Sequence, residues 1–146
     1  MTTTWKTLRW DEVTEGQQLP TVTRNITTTT VISCAIASRD FIPLHHDRDF
    51  AQRAGLKDII INTPTLYGFS SKYMTDWAGP EAELREISMR MMIPCVPGDT
   101  LTLTGKVVRK YTDGVQHLVD IEFTFTVPAG VNCKGKATLA LPAKSG

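Results

Sequence analysis

Val119-Asp-Ile-Glu-Phe-Thr-Phe-Thr-Val127 is the stretch that decides the fold: its odd residues are all apolar and its even ones polar or acidic. A period of two held over nine residues is a strand with one face in a core and the other in water. The same alternation occupies Arg85 to Ile93, with Ile87, Met89, Met91 and Ile93 on one parity. It starts again at Leu101 and Leu103, and a fourth run carries Val131, Cys133, Ala137, Leu139 and Leu141. Pro97-Gly98-Asp99, Thr112-Asp113-Gly114 and Pro128-Ala129-Gly130 separate these runs. All three are turn sequences, and Asp-Gly is a strong hairpin signal. Four strands joined by short turns predict an antiparallel meander.

Upstream the period changes. Leu66, Phe69, Tyr73 and Trp77 are spaced three, four and four apart, which predicts one apolar face of a helix. Thr63 or Thr65 is its expected cap and Gly79-Pro80 its stop. Such a helix can lie on a sheet but is too short to cover four or five strands, so a second layer or a partner subunit is expected. Pro20 to Ile26 reads as a strand, and Asp47 to Ala54 as a short helix with an acidic start, ended by Gly55. Thr27 to Ser38 reads either way. Its Thr, Val and Ile favour a strand, yet propensity is a weak prior and a short helix under the next loop fits equally well. The elements add up to an α+β fold. A length of 146 residues leaves no room for a second core, so one domain over residues 1–146 is expected.

With 41% hydrophobic and 21% charged residues the chain is not of the disordered class, and a net charge of +1 excludes a polyanion binder working by bulk charge. No nucleic-acid partner is expected. Cys34, Cys95 and Cys133 form no CxxC pair and cannot all pair within the chain, which fits a reducing, cytoplasmic compartment. Met1 to Leu8 lacks the apolar core of a signal peptide. No apolar run approaches the roughly 20 residues that cross a bilayer, so no membrane association is expected.

Groups with catalytic potential concentrate in Arg39-Asp40-Phe41-Ile42-Pro43-Leu44-His45-His46-Asp47. Pro43 disfavours helical geometry at Ile42, so this is a bent loop that can bring Asp40 and His45 onto one small site. A carboxylate can take a proton from a bound water, and an imidazole can hold or receive one near neutral pH. Phe41, Ile42 and Leu44 would wall such a site. The alternatives are a structural or surface histidine, or a metal site from His45, His46 and Asp47. Adjacent histidines point in different directions and only His117 remains elsewhere, so no metal is expected. The free N–H groups at the helix start, around Thr65 and Leu66, form a ready oxyanion site unless Thr63 caps them. A water activated beside such a site would suit addition to an unsaturated thioester.

Asp40-Phe-Ile-Pro-Leu-His45 resembles the D-x-N-P-[IL]-H motif of the MaoC-like, R-specific enoyl-CoA hydratases. Asn62-Thr-Pro-Thr65 at the helix start and Pro97-Gly98-Asp99-Thr100 before Gly105-Lys-Val107 are similar to further segments of that family, so the likeness covers about Leu19 to Val108. It implies a hot-dog fold, an antiparallel sheet wrapped around one long central helix. It also implies Asp40 and His45 as catalytic residues, a backbone amide near Thr65 for the thioester oxygen, an enoyl-CoA substrate, and no metal or organic cofactor. Ile42 departs from the motif, which has Asn there. Ser38-Arg-Asp-Phe41, His45-His-Asp-Arg-Asp49 and Tyr73-Met-Thr-Asp-Trp-Ala-Gly-Pro80 are similar to the small subunits of heteromeric steroid side-chain hydratases from actinobacteria. That likeness implies a steroid enoyl-CoA substrate and a larger partner with MaoC-like and DUF35 domains, with a homodimer as the other arrangement. A non-catalytic acyl-CoA-binding subunit and a hot-dog thioesterase are the competing readings.

Overall fold

The computed structural model describes residues 5–143, so the first four residues of the polar Met1–Leu8 stretch lie outside it. Five strands form one antiparallel sheet: β1 (Val22–Asn25), β2 (Glu83–Met91), β3 (Thr100–Asp113), β4 (Gln116–Val127) and β5 (Gly130–Ala140). Their order across the sheet is β1-β3-β4-β5-β2. The helices are α1 (Thr28–Ala37), α2 (Arg48–Arg53) and α3 (Thr63–Ala78).

The period-two runs become strands because each has an apolar face to bury. Val119, Ile121, Phe123, Phe125 and Val127 of β4 are all buried. β3, β4 and β5 form the expected meander, with Val107 opposite Ile121 and Phe123 opposite Gly135. β2 does not continue it. It pairs with β5 at the far edge, Met89 opposite Gly135, so Pro97-Gly98-Asp99 ends a crossover and is not a hairpin turn. The backbone bonds of that crossover explain the difference: Ile61 N–H donates to Cys95 C=O at 3.0 Å and Gly98 N–H to Ile26 C=O at 2.7 Å. The segment is satisfied by the chain at the start of α3 and by the end of β1. Ile87, Met89, Met91 and Ile93, near one edge of the sheet, are only partly buried.

α3 lies against the sheet, the arrangement of a hot-dog fold. Thr65, Leu66, Ser70, Tyr73, Met74 and Ala78 are its buried residues, whereas Phe69 and Trp77 are half-buried. The stripe is therefore turned relative to the aromatic pattern. Ser70 can occupy the core because its hydroxyl donates to Leu66 C=O at 2.8 Å. The Tyr73 ring packs edge-on to Phe125 at 6.3 Å and its hydroxyl donates to Pro20 C=O at 2.9 Å. The helix cap is Asn62, whose side chain accepts from the Thr65 N–H; neither Thr63 nor Thr65 caps it. Gly79, at φ +92°, stops the helix against the backbone of Lys6 and Thr7. The undecided segment is helical: Thr27 caps α1 by accepting from Thr30 N–H at 3.0 Å, and Val31 and Ala35 bury its inner face. A cap plus burial outweighs the strand preference of its residues. Asp47 caps α2, and Gly55 at φ +89° follows it. No helix among the described residues is long and apolar enough to cross a membrane.

Gly135 leaves no room for a side chain, since a Cβ there would lie 2.2 Å from Phe123 Cζ and 2.4 Å from Ser88 O. Overpacking of a core typically costs about 1–3 kcal/mol. Gly135→Ala is expected to lose at least that much in denaturant unfolding, and unchanged stability would contradict this packing.

Candidate active site

The segment from Arg39 to Asp47 is bent as the sequence requires. Arg39 takes φ +56°, Ile42 is extended at φ −64° and ψ 128°, and Pro43–His45 forms one 3-10 turn. Ile60 brackets the end of this turn, its N–H donating to Leu44 C=O at 3.1 Å and its C=O accepting from His45 Nδ1 at 2.7 Å. Asp58 anchors the segment before Ile60 by accepting from Arg48 Nε at 2.7 Å. The pairing lowers the Asp58 pKa and raises that of Arg48.

The bend brings the two sequence-predicted residues together, with His45 Nε2 3.3 Å from Asp40 Oδ2. A carbonyl oxygen only accepts, so His45 Nδ1 carries the proton shared with Ile60 and Nε2 is left for proton exchange. The imidazole is buried, while the carboxylate is one-fifth exposed. Asp40 Oδ2 also accepts from Asn62 Nδ2 at 3.0 Å, and its Oδ1 accepts from Ile42 N–H at 3.4 Å. The Asn62 bond is the largest cause holding the Asp40 carboxyl below its ordinary value; Ile42 and His45 act in the same direction against partial desolvation. A buried proton carrier thus faces an ionised, solvent-reaching carboxylate, a pair able to remove a proton from water and return one.

The third predicted residue is placed differently from expectation. Thr65 is buried, but its N–H donates to Asn62 Oδ1 at 3.1 Å and so is engaged within the cap. Pro64 has no N–H. Thr63, whose N–H has no acceptor among the described residues, is the open amide of the first turn. Phe41 and Ile42, expected to wall the site, are 65% and 53% exposed, and Leu44 is half-buried. Beside the pair, Cys34, Ala37, Pro64, Gly68 and Phe69 line a shallow, mainly apolar cavity of about 390 Å³ between α1 and α3. No three His, Cys, Asp or Glu side chains converge among the described residues. His117 lies on β4, its ring 5.0 Å from that of Trp10. Sequence reasoning missed Asn62 as part of the site. The available signal was Asn two residues before Pro at a helix start, which marks a cap but not its second partner.

A sheet wrapped on one helix, with a carboxylate–imidazole pair at the start of that helix, defines a hot-dog protein equipped for acid–base chemistry. The chain belongs to the MaoC-like family, since the profile described as "MaoC like domain" matches residues 11–128. It is 46% identical over 79 residues to the 3-oxo-4,17-pregnadiene-20-carboxyl-CoA hydratase beta subunit of Mycobacterium tuberculosis, a match spanning 54% of this chain and 61% of that protein. It is 29% identical over 136 residues to the (R)-specific enoyl-CoA hydratase of Rhodospirillum rubrum, covering 92% of each. Among solved structures, the ChsH1-ChsH2 complex from Mycobacterium tuberculosis matches with a TM-score of 0.82 at 34% identity, over 88% of this chain and 98% of that one.

The lowered Asp40 carboxyl has a measurable consequence. In a carboxyl-carbon NMR titration its midpoint is expected below 3.8, and stability from this group rises with pH from that midpoint up to the unfolded value. A midpoint above 3.8 would contradict the hydrogen bonding described.

Proposed function

We propose that this chain hydrates the 2,3 double bond of an enoyl-CoA thioester, with Asp40 and His45 as the catalytic residues. The observation that carries the reading is the 3.3 Å approach of His45 Nε2 to Asp40 Oδ2 at the start of α3. Hydratase names on the relatives support it. A water held between carboxylate and imidazole loses a proton to the pair as its oxygen bonds to C3. The π electrons move toward C1, and the thioester oxygen takes up the charge of the enolate. The pair then returns the proton to C2, so that H and OH are added with no change of oxidation state. An amide at the helix start stabilises the enolate oxygen, and the Thr63 N–H is the donor that stands open there in place of Thr65.

The finer reading is a steroid side-chain enoyl-CoA as substrate and a larger MaoC-like, DUF35-bearing subunit as partner. The steroid named in the 46% identical relative supports the first, and the two-component complex among the structural matches supports the second. The half-buried apolar row of Ile87, Met89, Met91 and Ile93 near the β2 edge is consistent with a covering subunit. Ile42 favours a second reading, a non-catalytic subunit, because its side chain offers the loop no hydrogen bond. The intact Asp40–His45 pair opposes it.

Loss of enoyl-thioester absorbance with crotonyl-CoA and with a steroid enoyl-CoA tests both levels. General acid–base groups contribute about 10²- to 10⁴-fold, so Asp40→Asn and His45→Ala are each expected to lower the rate by at least the lower factor. Preference for the steroid thioester, or activity only with the DUF35-bearing subunit, would support the finer reading. Free thiol as product would instead identify a thioesterase. Full activity in either variant would overturn the assignment.

A further inference from the structure

We infer that Asn62 is a positioning residue for hydration, fixing the Asp40 carboxylate relative to the start of α3. The inference rests on the hydratase reading. Asn62 is 2% exposed, and both ends of its amide are engaged. Oδ1 accepts from the Thr65 N–H at 3.1 Å and also from the Thr65 hydroxyl. Nδ2 donates to Ser38 Oγ at 2.8 Å and to Asp40 Oδ2 at 3.0 Å. A backbone N–H can only donate, so the Thr65 contact settles which end of the amide is oxygen and leaves Nδ2 facing the carboxylate. The side chain cannot flip without opposing donor to donor and acceptor to acceptor.

Three elements meet on this one amide: the C-terminal cap of α1 through Ser38, the first turn of α3 through Thr65, and the bent loop through Asp40. The base is thereby held in register with the helix start, where charge develops on the thioester oxygen. Displacement of a reacting group by about 1 Å can cost 10²-fold in rate. The same bond favours the ionised base, because a carboxylate oxygen is a stronger acceptor for Nδ2 than the neutral carboxyl is. His45 is the only titratable side chain in contact with Asp40 among the described residues, and Ile42 reaches it by its backbone N–H. With Ile at position 42, the side-chain amide for the carboxylate comes from Asn62 on the opposite wall.

Two variants separate capping from positioning. Asn62→Ser keeps a good helix cap but has no donor long enough to reach Asp40. Asn62→Asp keeps the capping oxygen, loses the donor, and places a second carboxylate beside the first. Both keep a capping oxygen and are expected to fold, at a melting temperature lowered by the lost hydrogen bonds and, in Asn62→Asp, by the added like charge. KM is little changed, while kcat falls about 10- to 100-fold. In Asn62→Asp the acidic limb of the kcat–pH profile also moves upward, since like charges disfavour ionisation. The Asp40 carboxyl midpoint, read by NMR without substrate, is expected to rise in both variants. An unmoved midpoint overturns the inference whether or not the protein turns over enoyl-CoA. A fall in melting temperature with wild-type kcat and pH profile would reduce Asn62 to a cap and overturn it equally. Absence of turnover in the wild type, with the midpoint shift present, would instead count against the hydratase reading alone.

Discussion

The odd-numbered face of β4 must be covered, and α3 covers it. Phe123 and Phe125 are almost wholly buried, and Tyr73 reaches from the helix to stack edge-on against the second ring. Burial of such side chains contributes about 1.5–3 kcal/mol each. Their size dictates the glycines around them: Gly105 on β3 makes room for the Tyr73 ring, and Gly135 on β5 for Phe123. With the helix axis fixed by this contact, the start of α3 is fixed as well. The crossover from β2 to β3 bonds there at Ile61, and the bent loop meets it through Asn62. The position of the acid–base pair is in this sense a consequence of core packing some turns away.

The chemistry of the site follows from what each partner can donate. Ile60 C=O can only accept, so it sets the imidazole tautomer; Asn62 Nδ2 can only donate, so it favours the ionised form of the carboxylate. Both partners belong to the irregular segment between α2 and α3, itself tied by the backbone bonds of Ile60 to Leu44 and of Ile61 to Cys95, which is why a loop with two exposed apolar residues can still hold a precise geometry. The contrast with the buried thiols is instructive. Burial pushes Cys95 up to about 12 and Cys133 to about 11, leaving them inert at neutral pH. Asp40 has hydrogen-bond donors that outweigh its desolvation, and it moves the other way.

Much of this was legible in the sequence, and the reasons are local. Period-two runs and Asp-Gly or Pro-Gly punctuation give strands and turns their identity without reference to the rest of the chain. Asp40 and His45 were legible because a proline-bent loop of six residues leaves them few ways to avoid each other. Strand order was not, since β2 pairs with the last strand and not with the next one, a choice made by where α3 delivers the chain. The α1 segment was undecided because Thr27 acts as a cap only once Val31 and Ala35 have a core to enter. Asn62 was read neither as the cap, which was expected at Thr63 or Thr65, nor as part of the site, because its Asp40 partner lies 22 residues earlier and only the fold brings them together. The rotation of the α3 stripe was hidden by Ser70, a polar residue made tolerable in the core by its bond to Leu66 C=O.

The claim on which the functional account rests is that Asp40 and His45 act as one unit on one water. Groups that act together lose their contribution once, not twice. The most direct test is kcat/KM for enoyl-thioester hydration by the wild type, Asp40→Asn, His45→Ala and the double variant, measured with whichever subunit assembly is active. The double variant is predicted to be no slower than the slower single variant. Losses that multiply would show two independent contributions and contradict the pair.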